Sequence, residues 1–210
     1  MSIYADLAQN VIEGAESEVR KQVEALLAQG VDPKEIINLG LIAGMGVVGT
    51  RFKAGDMYVP EVLMSARAMS AGIEIVRPLI AETDMPSFGK VLLGTVKGDL
   101  HDIGKNLVGM LLESSGFTVI NLGVDISPEQ FVQAVKEHNP DIVALSALLT
   151  TTMTAMKETI EILEEEGLKD KLKIIVGGAP VSQEFANEIG ADGYAPDAGS
   201  AADLCKKMLS

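Results

Sequence analysis

Val91-Leu92-Leu93-Gly94-Thr95-Val96-Lys97-Gly98-Asp99-Leu100-His101-Asp102-Ile103-Gly104 is the stretch whose reading decides the fold. Its first six residues form a short, nearly continuous apolar run, as a buried strand does. Leu107-Val108-Gly109-Met110-Leu111-Leu112 follows and reads as an apolar helix. A strand buried on both faces and leading into a helix is the building unit of a parallel α/β sheet. The loop between them then lies at the carboxyl edge of the sheet, where open α/β folds bind ligands. That loop carries His101, one of two histidines in the chain. Asp99, two residues earlier, is placed to hold the imidazole by one nitrogen, as carboxylates do behind metal-bound histidines. A loop histidine also serves as a helix cap or a plain surface residue, and the residues alone leave that open.

The same alternation continues to the C-terminus. Strands are expected at Val91–Val96, Thr118–Leu122, Ile142–Ser146, Ile174–Val176 and Gly193–Ala195, with helices over about 104–115, 128–138, 152–166, 183–189 and 199–209. Ser127-Pro128-Glu129-Gln130 is a capped helix start, and Gly116 fits the end of the preceding helix. Strict alternation with apolar strands argues for a parallel sheet covered on both faces.

Upstream the period changes to that of helices. Ile3, Leu7 and Val11 recur at helical spacing, as do Val19, Val23, Leu26 and Leu27 before Gly30. Asp32-Pro33-Lys34-Glu35 starts a helix expected to run to about Phe52, with Glu35 reaching back to the cap. A last helix starts near Pro60 and carries Leu63, Met69, Ile73 and Val76 inward. The short connections favour a four-helix bundle of antiparallel neighbours. The expected organisation is a helical domain over 1–84, a linker over 85–89 and an α/β domain over 90–210. The proline and glycine within Asp84–Gly89 would make that segment a hinge.

Composition narrows the function. A net charge of −13 disfavours nucleic acid, whose phosphates need cationic partners, and adsorption to anionic membranes. No uninterrupted apolar stretch reaches about 18 residues, so no membrane span is expected. The most apolar segment, Ile36 to Val48, is interrupted by Asn38 and three glycines. The first residues show no secretion signal. Cys205, the only cysteine, suits a cytoplasmic location and has a structural role or none. No G-x-G-x-x-G follows Val96, no phosphate-binding loop of the G-x-x-x-x-G-K-[ST] form occurs, and cysteine–histidine zinc spacing is absent.

Asp99-x-His101-x-x-Gly104, followed by Ser146-Ala147-Leu148-Leu149-Thr150 and Gly177-Gly178-Ala179, resembles cobalamin-binding domains. Met45-Gly46-Val47-Val48-Gly49, Phe52, Gly55, Val59-Pro60-Glu61-Val62 and Ser65-Ala66-Arg67 resemble the helical cap of methyl-carrying corrinoid proteins. The resemblance spans nearly the whole chain and implies a four-helix cap followed by a flavodoxin-like (Rossmann-like) α/β domain with a five-stranded parallel sheet in the order 2-1-3-4-5. It implies cobalamin bound base-off, with His101 as the lower ligand of cobalt through the methylcobalamin and Co(I)–Co(III) states. It implies that Asp99 holds the other ring nitrogen and that the Thr152 hydroxyl completes a relay. Thr152 reads equally as a helix N-cap, and the two roles are compatible.

The resemblance also places Asp102, Ile103 and Gly104 at the corrin. It sets Ser146, Leu148, Thr150, Gly177 and Gly178 beside the nucleotide tail, and Phe52, Val59 and Val62 over the upper face. Each has a plainer reading: Gly177-Gly178 as a tight turn, Gly104 as the start of a helix, the cap residues as bundle core. The implied function is a carrier of methyl groups between a substrate-specific methyltransferase and a second one with a tetrahydrofolate or thiol-coenzyme acceptor. A reductive activase would be a further partner. Methanol, methylamines, betaines and methoxylated aromatics all fit as donors. A mutase cobalamin subunit and a cobalamin-dependent sensor are the alternatives; the helical half argues against the first, and no effector region is seen for the second.

Overall fold

The computed structural model describes residues 3–80 and 87–210. The chain divides into two compact units, one of Met1–Ser87 with Ser114–Gly116 and one of Phe88–Glu113 with Phe117–Ser210. Most of the expected hinge at 84–89 falls outside the described residues. Phe88, which it included, packs its ring 5.9 Å from that of Phe117 within the second unit.

Among the described residues the first unit holds four long helices, α1 (Ile3–Ile12), α2 (Glu16–Ala28), α3 (Pro33–Ala54) and α4 (Val59–Val76). Asp32 caps α3, accepting the Lys34 N–H at 2.8 Å ahead of a proline at the first turn. Glu35 does not reach back to the cap as expected; it accepts the Tyr4 hydroxyl at 2.7 Å. Residues Ile36–Ile42 of α3 are π-helical. The glycines that interrupt this apolar segment seat α1. A Cβ on Gly40 would lie 2.5 Å from Leu7 Cδ2, and one on Gly44 2.8 Å from the Ala8 carbonyl oxygen. Among the described residues α3 alone is long and apolar enough to cross a membrane by length and composition. Its Ile36, Ile37, Leu41, Met45 and Val48 are buried in the protein. On α4 the inward residues are Val62, Ala66, Met69 and Val76; Leu63, expected inside, is exposed.

The second unit is a parallel five-stranded sheet. Its elements are β1 (Lys90–Val96), α5 (Ile103–Ser114), β2 (Thr118–Ile126), α6 (Pro128–His138), β3 (Ile142–Ser146), α7 (Met153–Glu165), β4 (Lys173–Gly177), α8 (Gln183–Glu188), β5 (Gly193–Tyr194) and α9 (Ala198–Met208). The strand order is β2-β1-β3-β4-β5, as expected. Alternation along β1 sends Leu92 to one face, with Phe131, Met156 and Leu163, and Leu93 to the other, with Leu112, Phe117 and Ile175. Both faces are therefore covered, which is why the strands read as apolar runs rather than alternating ones. Cys205 belongs to the second of these clusters, and burial pushes its thiol up to about 12. It is a packing residue.

One strand differs from expectation by more than one residue at an end. β2 continues four residues past Leu122, because its pairing with β1 slips twice. Gly94 pairs with Gly123, and the next pair is Val96 with Ile126. Gly123, at the slip, interrupts the apolar pattern of the strand.

Candidate functional site

Parallel pairing brings the ends of three strands into one row, since Ser146 pairs with Thr95 on one side and with Gly177 on the other. Beyond this row lie the loops after β1, β3 and β4. The β1 loop turns at Gly98, whose φ of 82° favours glycine. The Asp99 N–H then donates to the Val96 carbonyl at 3.1 Å, and the Thr95 hydroxyl donates to the His101 carbonyl at 2.9 Å. The loop is thus held by backbone and by the buried Thr95 before its functional side chains are considered.

Asp99 is the hub. Its side chain is 0% exposed, yet every oxygen is used. Oδ1 accepts the His101 N–H at 3.0 Å and its Nδ1 at 2.7 Å. Oδ2 accepts the Leu148 N–H at 2.7 Å, the Leu149 N–H at 3.3 Å and the Thr152 hydroxyl at 2.8 Å. Burial pushes this carboxyl up. The His101 N–H, the Leu148 N–H, the Thr152 hydroxyl and the His101 ring outweigh it and hold Asp99 well below the usual carboxylate range. An ionised carboxylate only accepts hydrogen bonds, so the proton between the pair sits on Nδ1. In the neutral ring that tautomer leaves the lone pair on Nε2. It has no protein hydrogen-bond partner among the described residues, and its ring is 51% exposed.

Thr152 heads α7 without capping it: no side-chain bond to the helix N–H groups forms. Its hydroxyl lies 2.8 Å from Asp99 Oδ2 and 2.9 Å from the Leu149 carbonyl oxygen, so its one proton has two acceptors within reach.

The surroundings of the ring are apolar and outward-facing. Leu100 and Ile103 are 71% and 85% exposed, and Leu148 and Leu149 are 42% each. Apolar side chains clustered in the open around one histidine mark a binding surface. A Cβ on Gly104 would meet nothing within 4 Å, so the space beside the loop is open there. Gly178 is a different case. Its φ is 134°, and a Cβ would lie 1.8 Å from the Ala147 carbonyl oxygen. The protein's own backbone accounts for that glycine. Asp102 accepts the Asn106 amide at 2.9 Å, and Thr150 is exposed on the β3 loop. In the helical unit Phe52 is half-buried, Val59 is exposed and Val62 is fully buried.

Two positions escaped the sequence reading. Thr95 looked like a core strand residue, and Asp125 was not singled out at all. The Asp125 carboxylate accepts the Gly98 N–H at 2.7 Å. The only signal for either would have been its register opposite the histidine loop, which a sequence does not display.

The donor set suits a metal held by one protein ligand rather than a protein-built cage. Among the described residues no cluster of three or more histidine, cysteine or acidic side chains could hold a metal ion. One oriented imidazole amid exposed apolar groups fits a large, flat, mostly apolar cofactor that brings its own metal.

Family models described as B12 binding domains match residues 89–203 and 3–77. A corrinoid protein of Desulfitobacterium hafniense is 46% identical over 212 residues, covering 100% of this chain and 98% of that one. A dimethylamine corrinoid protein of Methanosarcina acetivorans is 43% identical over 209 residues, with 99% and 98% coverage. Among solved structures, the methanol:cobalamin methyltransferase complex MtaBC of Methanosarcina barkeri aligns with a TM-score of 0.88 at 35% identity, covering 99% of this chain and 79% of that one.

Proposed function

Since the chain belongs to the B12-binding corrinoid proteins of methyltransferase systems, we propose that it holds cobalamin base-off on His101 Nε2. In this role it carries a methyl group from a substrate-specific methyltransferase to a second one, with tetrahydrofolate or a thiol coenzyme as acceptor. A reductive activase would serve it when the cobalt is over-oxidised. The observation that carries this reading is the His101–Asp99 pair, with Nδ1 tied at 2.7 Å and Nε2 free. The bound cobalt supplies a nucleophile in its low-valent state and a leaving group once methylated.

The residues do the rest. Asp99 fixes the Nδ1 proton and the ring direction, which makes Nε2 the better donor. Leu100, Ile103, Leu148 and Leu149 give the corrin an apolar seat and exclude water. Ser146, Thr150 and Gly177 stand at the strand ends beside which the nucleotide tail would run. Phe52 and Val59 leave apolar surface open on the helical unit, whereas Val62 belongs to its core. The donor is chosen by the partner methyltransferase, and a single buried cysteine accords with a cytoplasmic site of action.

Protein loaded with cob(II)alamin tests the ligation. Its electron paramagnetic resonance spectrum should show nitrogen splitting that changes when histidine is nitrogen-15 labelled. Splitting that responds only to a labelled benzimidazole in the cofactor would sink the reading.

Gly104 offers an independent check. Without a neighbour to strike, Gly104→Ala should leave the unloaded protein as stable or raise it by about 0.5–1 kcal/mol, the usual helix preference for alanine over glycine. Cobalamin affinity should nonetheless drop, because the methyl group fills space the corrin uses. Unchanged affinity in a fluorescence titration would show that this space is not part of the seat.

A further inference from the structure

Asp125 has a backbone conformation that side chains rarely adopt. Its φ is 56°, and among the described residues only Asn139 shares a positive φ without being glycine. It lies where the pairing of β1 with β2 slips: between Gly94–Gly123 and Val96–Ile126, β2 uses three steps for two of β1. Such a bulge leaves one residue unpaired and re-aims it, and bulges gather beside functional sites. Here both polar groups of Asp125 are aimed at the histidine loop. Its Oδ1 accepts the Gly98 N–H at 2.7 Å, and its own N–H donates to the Asp99 carbonyl at 3.0 Å. The side chain is exposed, so packing gives no reason for it.

We propose that Asp125 is a positioning residue for the cobalt ligand. By pinning the backbone of Gly98 and Asp99 it sets where the Asp99 carboxylate lies, and through that carboxylate the direction of His101 Nε2. The far end of the loop is held separately by the Thr95 hydroxyl at the His101 carbonyl. The Asp99 end is held by its own N–H at the Val96 carbonyl and, from the other side, by the bulge. A strained conformation is retained where the surrounding structure uses it, and this use is to hold a ligand loop rigid on the outer edge of a sheet. The inference rests on the reading of His101 as the lower ligand.

Two variants separate the carboxylate's hydrogen bond from backbone strain. Asp125→Asn keeps an acceptor and a side chain that tolerates the left-handed region. Asp125→Gly accepts that backbone, and keeps its N–H, but removes the acceptor. Amide exchange of Gly98 in the unloaded protein reports the clamp, and the imidazole splitting of cob(II)alamin-loaded protein reports the ligand. Asp125→Gly should exchange Gly98 roughly tenfold faster, the effect of one lost hydrogen bond. It should also show a smaller imidazole-coupled fraction, with its thermal midpoint showing the sheet intact. Asp125→Asn should restore both signals. Parent-like Gly98 exchange in Asp125→Gly overturns the clamp. Faster exchange with unchanged splitting overturns the positioning role. A parent protein without imidazole coupling overturns the ligation reading instead, and is told apart because the defect precedes any substitution.

Discussion

Asp99→Asn will destabilise the unloaded protein by about 3 kcal/mol and weaken cobalamin binding about 10–100-fold. The carboxylate accepts from two sides, His101 on one and Leu148, Leu149 and Thr152 on the other. An amide has one acceptor and one donor end. Whichever way it turns, buried donors face an NH₂ group, and each unsatisfied buried group costs about 1–3 kcal/mol. Urea unfolding of the unloaded protein and a cobalamin titration measure the two effects. A stability loss under about 0.5 kcal/mol, within the range of a surface change, would mean Asp99 is not the hub.

The same substitution has a pH signature. Asp99 has a native pKa below its unfolded value, so its stabilisation is complete above about pH 3.9 and is lost as pH falls from there towards the native value. The parent should therefore lose stability more steeply on acidification than Asp99→Asn. Equal slopes through that window would contradict the depressed pKa.

Gly178→Ala will have a comparable effect for an unrelated reason. The added Cβ would fall 1.8 Å from the Ala147 carbonyl oxygen and 2.8 Å from its carbon, both backbone atoms. No rotamer relieves that contact, and φ of 134° is itself closed to side chains. Strain and overpacking together cost about 3 kcal/mol. The Ala147 loop also carries the Leu148 N–H that donates to Asp99, so the displaced carbonyl should disturb the ligand pair as well. Calorimetry and the imidazole splitting of the loaded protein read both. A variant with an unshifted thermal midpoint would show that the β3 and β4 loops yield without cost. Gly177→Ala is the milder comparison, with its nearest contact at 3.0 Å from the Ala195 carbonyl oxygen.

Local signals carried much of the architecture. Apolar runs of strand length separated by helical periods set the α/β half, because a sheet covered on both faces leaves that record in every strand. The caps at Asp32 and Ser127 were legible for the same local reason. Asp99 and His101 were legible because two residues of one short loop are neighbours in any fold. What failed was whatever depended on a distant segment. Glu35 went to Tyr4, and Leu63 turned outward, because bundle packing and not helical period chose the buried face. Glycine was the least legible residue. Gly40 and Gly44 looked like interruptions and are the seat of α1, whereas Gly178 looked like room for a cofactor and is filled by a carbonyl.

By itself, then, the sequence determined the order of the elements, the loop that carries the histidine and the acid beside it, all of which lie within a few residues of one another along the chain. Only the tertiary structure decided that Thr152 and the Leu148 N–H, about fifty residues on, would close around Asp99, and that a bulge in β2 would bring Asp125 against Gly98. The reason is physical. Hydrogen bonds between strands are set by register, and register is fixed by how both faces of the sheet are packed rather than by any short stretch of residues.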